Sequence, residues 1–202
     1  MKKTLAVLML GFLSFQMTGC VALLAGGATA TGLAVHDRRS FGTVIDDNAL
    51  ELRVRDALYS NEEFTRDHRI KINAFRGWVL LAGEVETDAN VRLAGETAAG
   101  VTGVRRVINE LVPERQASLG QGSQDRWISG KVNGSMTRIR ELPGFDATRV
   151  QVITTRGVVY LMGLVSRDEA EAVTERARTV RGVHRVVTIF EYLEDQPEVV
   201  QG

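Results

Sequence analysis

Residues 75–94 read FRGWVLLAGEVETDANVRLA, and residues 155–174 read TRGVVYLMGLVSRDEAEAVT. The two stretches align without a gap, pairing Arg76 with Arg156, Gly77 with Gly157, Leu81 with Leu161, Gly83 with Gly163, Val85 with Val165 and Asp88 with Asp168. A repeat of this length outranks any local pattern, because it means that one folding unit has been used twice. The match continues outward in both directions. GVRRVINEL from Gly103 pairs with GVHRVVTIF from Gly182, and DNALELRVRDAL from Asp47 pairs with DRWISGKVNGSM from Asp125. Each copy spans roughly 70 residues, small but able to fold alone.

Within a copy the hydrophobic period changes in a readable order. Leu50, Val54, Ala57 and Leu58 recur at helical spacing, as do Ile128, Val132, Met136 and Ile139 if residues 125–140 are helical. A short alternating strand follows, with Ile70 and Ile72 in the first copy and Val150 and Val152 in the second. Arg-Gly then turns the chain into a second strand, WVLLAGEV or VVYLMGLV; glycine suits the left-handed backbone of such a turn. Thr87-Asp88 and Ser166-Arg167-Asp168 open a second helix, where a short polar side chain caps and acids favour the positive end. Gly103 or Gly182 precedes a last strand. The order α-β-β-α-β predicts an α+β fold: two tandem units, each a three-stranded mixed sheet covered on one face by two helices. The segment PERQASLGQGSQ, residues 113–124, reads as a polar linker.

The amino terminus reads as something other than fold. MKKTLAVLMLGFLSFQMTGC has two lysines and then an apolar run to Phe15, too short to span a bilayer comfortably and typical of an export signal. It ends in Met17-Thr18-Gly19-Cys20, and Cys20 is the one cysteine in the chain. This ending resembles a bacterial lipobox, with methionine where leucine is usual. The resemblance implies that Cys20 is acylated and becomes the first mature residue, and that Val21, being no aspartate, favours passage to the outer membrane. The Gly- and Ala-rich stretch after it reads as a tether. The expected layout is a signal peptide at 1–19, an acylated tether at 20–45, one unit at 46–113, a linker at 114–124, the second unit at 125–194 and a tail at 195–202.

The repeated unit, with Gly-Val-x-x-Val before its last strand and a glycine inside its second, resembles the BON domain. A lipobox followed by two such units is the layout of a group of outer-membrane lipoproteins. The resemblance implies a non-enzymatic, periplasm-facing envelope protein, associated with the division site and envelope integrity, that binds anionic phospholipid through its second BON domain.

The residues themselves point to the same helix. On a wheel of about 100° per residue, Trp127, Lys131, Gly134 and Arg138 gather on a face beside the core stripe. The aligned positions in the first copy include Ala49, Arg53 and Asp56, so the tryptophan is no requirement of the scaffold. Residues 47–113 hold 9 basic and 11 acidic side chains, whereas residues 125–194 hold 11 basic and 9 acidic. Arg126, Lys131, Arg138 and Arg140 concentrate on or beside this helix. An indole flanked by cations suits a headgroup layer, so Trp127, Arg126, Lys131, Gly134 and Arg138 are the expected phospholipid site. The competing readings are Trp127 as packing, and the same edge as a docking point for an envelope protein.

Other chemistry finds little support. His36, His68 and His184 are scattered without metal-ligand spacing, no histidine stands in motif register with a serine or aspartate, and no cofactor is expected. The basic runs GVRRV and RGVHRV read as charged edge strands rather than as a nucleic-acid surface. Trp78 reads as core or interface packing, and a monomer is expected.

Overall fold

The computed structural model describes residues 38–64, 69–114 and 119–195. The signal peptide, Cys20, most of the tether and the end of the tail lie outside them. The elements run α1 (Phe41–Tyr59), β1 (Arg69–Phe75), β2 (Trp78–Val85), α2 (Asp88–Ala99) and β3 (Arg106–Pro113). The second copy follows as α3 (Leu119–Met136), β4 (Val150–Thr155), β5 (Val158–Val165), α4 (Arg167–Arg178) and β6 (Arg185–Tyr192). The α-β-β-α-β order holds in both copies. Each sheet is mixed: β1 pairs antiparallel and β3 parallel with the central β2, and β4 and β6 do the same around β5.

Two helix boundaries differ from the sequence reading. Helix α1 starts at Phe41, inside the stretch read as tether, because the Ser40 hydroxyl accepts the Thr43 amide and caps it there. Helix α3 starts at Leu119, inside the stretch read as linker, and stops at Met136. Ile139 is buried as expected but lies beyond that helix, packed with the same core.

The Arg-Gly turns are held by a device the alignment contains but does not explain. Arg76 and Gly77 both have positive φ, 49° and 79°, as do Arg156 and Gly157, at 54° and 71°. Asp47, buried in α1, accepts the amides of Arg76 and Gly77 at 2.8 and 3.0 Å. Asp125 does the same for Arg156 and Gly157, both at 3.0 Å. One carboxylate thus fixes the strained turn and the rotation of the first helix of each unit together. Inside β2, Gly83 lets β1 pass close: a Cβ there would stand 1.8 Å from the Arg69 carbonyl oxygen.

Each strand pair buries both faces. One face of β2 carries Val79, Leu81 and Val85 against α1 and α2, and Val159, Leu161 and Val165 of β5 do likewise with α3 and α4. The other faces meet each other. Phe75, Leu80 and Ala82 pack with Ile153, Tyr160, Met162, Leu164 and Ile189, and Trp78 is half-buried at the margin. Residues 38–195 therefore form four layers, helices on the outside and two sheets within. Ion pairs bind the seam: Arg76 to Glu191 (2.6 Å), Arg156 to Glu84 (3.7 Å) and Glu114 (2.5 Å), and Arg185 to Glu110 (2.8 Å). The basic residues read as solvent-facing at the strand starts are thus partly used between the units. Arg106 lies over the Trp78 ring at 4.9 Å.

Candidate functional site

Helix α3 owes its orientation to its buried side. Asp125 is tied to the Arg156–Gly157 turn, while Ile128, Val132 and Met136 are fully buried in the core of the second unit. With these four fixed, Trp127 and Lys131 point away from the sheet. Trp127 is 49 % exposed. One edge of its ring rests on the turn at Gly182, with Cζ3 3.9 Å from where a side chain there would begin. The Lys131 ammonium lies 5.3 Å from the ring centroid, one helical turn on. The indole is therefore wet on one side and seated on backbone on the other, with a cation over it.

Arg126 is exposed one position before Trp127, and Gly134 has nothing within 4 Å of an added Cβ. Arg138 is exposed too, but it lies in the turn after α3 rather than on the helical face where the wheel placed it. The structure thus brings Arg126, Trp127, Lys131 and Gly134 onto one helix and sets Arg138 just past its end. The arrangement offers an aromatic edge and several cations to an anionic, partly apolar surface. Among the described residues no group of three or more His, Cys, Asp or Glu side chains could hold a metal ion, and no helix is long and apolar enough to cross a membrane.

A cleft of about 480 Å³ adjoins the base of this helix, between the two units. Arg69, Lys71, Glu84, Asp125 and Arg126 line it. Two of its charged groups are engaged across it: the Lys71 ammonium donates to the Thr154 carbonyl, and Glu84 faces Arg156. Burial pulls the Lys71 ammonium below its ordinary value and pushes the Glu84 carboxyl above its own. These groups hold the units together.

Sequence reasoning took the Asp168-Glu169 pair as capping the start of a helix, as Glu169 does, but missed its distant partners. Glu169 caps α4 by accepting the Ser166 amide at 2.9 Å, and it also takes Arg149 (3.1 Å) and both terminal nitrogens of Arg38 (2.5 and 2.9 Å). The segment entering α1 is thereby fastened to the second unit. No spacing in the chain links Arg38 to Glu169, 131 residues away.

Two α-β-β-α-β units of this kind define a class: the BON domain model matches residues 46–113 and 124–193, and the chain belongs to that family. Over 195 residues, 95 % of this chain and 97 % of the other, it is 34 % identical to the outer membrane lipoprotein DolP of Haemophilus influenzae. It is 37 % identical over 158 residues to a 21 kDa hemolysin of Actinobacillus pleuropneumoniae, covering 78 % of this chain and 80 % of that one. Osmotically-inducible protein Y of Escherichia coli is 28 % identical over 148 residues, 72 % of each chain. The first likeness, running nearly end to end, supports an outer-membrane lipoprotein carrying two BON domains.

Proposed function

We propose that the protein is a non-enzymatic lipoprotein, acylated at Cys20 and facing the periplasm, whose second BON domain binds anionic phospholipid through α3. One observation carries the reading: Trp127 is half-exposed on the outer layer with Lys131 over its ring and Arg126 beside it. An indole is favoured at the headgroup level, and each basic residue near an anionic surface contributes about 1 kcal/mol. Such a site gives moderate, reversible affinity. That is enough for a domain already confined near a membrane by its acyl chains. Roles in envelope integrity and at the division site accompany this reading through the family likeness.

Vesicle co-sedimentation of the acyl-free chain beginning at Val21 tests it. The chain is expected to pellet with anionic vesicles and not with zwitterionic ones, and to be released as salt screens the cations. Trp127→Ala weakens binding. Lys131→Glu removes one attraction and adds one repulsion, at about 1 kcal/mol each, and weakens it by about tenfold or more. Equal binding to both vesicles, or to neither, defeats the lipid reading and favours an envelope protein docked on the same edge.

A further inference from the structure

The cleft between the base of α3 and the start of β1 carries more cations than the fold uses. Its charged lining is Arg69, Lys71 and Arg126 against Glu84 and Asp125. Both carboxylates are committed to groups beyond the cleft. Asp125 gives its two oxygens to the amides of the Arg156–Gly157 turn, and Glu84 faces Arg156. The Lys71 ammonium spends one donor on the Thr154 carbonyl and has two left. Arg69 reaches across to α3, its Nη1 lying 3.9 Å from where a side chain at Gly122 would begin. It stands opposite Glu84 in the β1–β2 register. Yet among the described residues neither Arg69 nor Arg126 has a carboxylate within ion-pair distance.

The second copy shows what Arg69 lacks. Arg69 aligns with Arg149, which pairs with Glu169, the third residue of α4. The third residue of α2 is Asn90, which has no charge to offer. The first unit thus holds the cation without its anion.

We propose that this cleft binds a phosphate-class oxyanion, with Arg69, Arg126 and Lys71 as its donors. Guanidinium forks match the paired oxygens of a phosphate, and three cations around one group favour an anion able to carry two charges. Gln121 and Gly122 bring the positive end of α3 to the same wall. At about 480 Å³ the cleft is roomier than a bare phosphate, so it also admits a phosphate carried on an ester. That ester is a soluble molecule or a lipid headgroup. The site shares only Arg126 with the Trp127 edge and does not rest on phospholipid binding there.

Amide NMR on the acyl-free chain beginning at Val21 tests it, with inorganic phosphate as the probe and chloride holding the ionic strength constant. The amides of residues 69–71 and 121–126 are expected to shift saturably, in the millimolar range. Arg69→Gln should weaken binding by about tenfold or more, the loss of one charge-assisted contact. Asn90→Glu should do the same with circular dichroism unchanged, because it gives Arg69 the partner that Arg149 already has. Trp127→Ala should leave phosphate binding as it is. Vesicle pelleting then identifies the source. If the phosphate belongs to a lipid headgroup, Arg69→Gln also weakens pelleting and inorganic phosphate competes with it; if it belongs to a soluble ester, neither changes pelleting. No saturable shift at these amides, native affinity in Arg69→Gln or in Asn90→Glu, or loss of phosphate binding in Trp127→Ala would overturn the proposal.

Discussion

Asp125 shows how one side chain does the work of a small motif. Its two oxygens hold two amides of a turn whose residues both sit at positive φ, and α3 takes its rotation from that anchor. Asp125→Ala leaves both amides without their acceptor in a buried place. At about 1.5 kcal/mol or more for each hydrogen bond to a charged group, a loss of about 3 kcal/mol is expected in urea unfolding. Asp125→Asn keeps one acceptor oxygen and loses roughly half as much. Trp127→Ala makes the contrast. Its ring is half in water, so stability shifts by no more than about 0.5 kcal/mol while vesicle affinity falls. If Trp127→Ala costs as much as a core truncation, the ring is packing and not a contact surface. The tryptophan was legible from the sequence because a bulky residue stands off the core stripe in one copy and not in the other. The role of Asp125 was not: the aligned aspartates are visible, but the turn they grip lies about 30 residues downstream.

At the scale of elements, the repeat and its changes of period were enough for strands, caps and the order of elements, since each is a local consequence of patterning. Helix bounds were harder. Residues 119–124, LGQGSQ, hold two glycines and no apolar stripe, yet they continue α3. Isolated propensity is weak here, and packing of the helix extends it. Gly130 is a place where propensity was left unused: an added Cβ meets nothing within 4 Å. Gly130→Ala should therefore raise stability by up to about 1 kcal/mol, read as a higher urea midpoint, with vesicle binding unchanged. Helix α4 carries a pH dependence. Burial alone would raise the Glu169 carboxyl, but Arg38, the Ser166 amide and Arg149 outweigh it and hold the group below its ordinary value of 4.5. A depressed carboxylate contributes stability above the unfolded value and loses it as pH falls through the folded one. The stability gap between the native chain and Glu169→Gln is thus expected to be full at neutral pH and to close below about 4.5. A gap constant down to strongly acid pH would show that the charge of Glu169 contributes nothing.

The whole molecule turns on the surface where the two sheets meet. Strands reading WVLLAGEV and VVYLMGLV are apolar at adjacent positions over most of their length, the pattern of a strand buried on both faces. Nothing in either string says what covers the second face, and only the folded chain pairs Leu80 and Ala82 with Tyr160 and Met162. Sharing that layer makes the two units one cooperative body. Leu80→Ala, at a fully buried position in the first unit, should cost about 2–5 kcal/mol and lower a single transition rather than split it in two. Tyr160 gives an independent reading of the same layer from the second unit. Burial, and Glu110 across the seam, push its hydroxyl up to about 12. An acid whose folded value is raised stabilises the fold below its unfolded value, near 10, and that stability is lost as pH rises through the folded one. Tyr160 is thus expected to ionise above the ordinary tyrosine range, its tyrosinate absorbance appearing together with loss of the folded signal rather than before it. In Leu80→Ala, with the layer loosened from the other side, the same step should move to lower pH. A tyrosinate signal from Tyr160 that rises near 10 with the fold intact would mean that water already enters between the sheets, and that the two units are neighbours rather than one body.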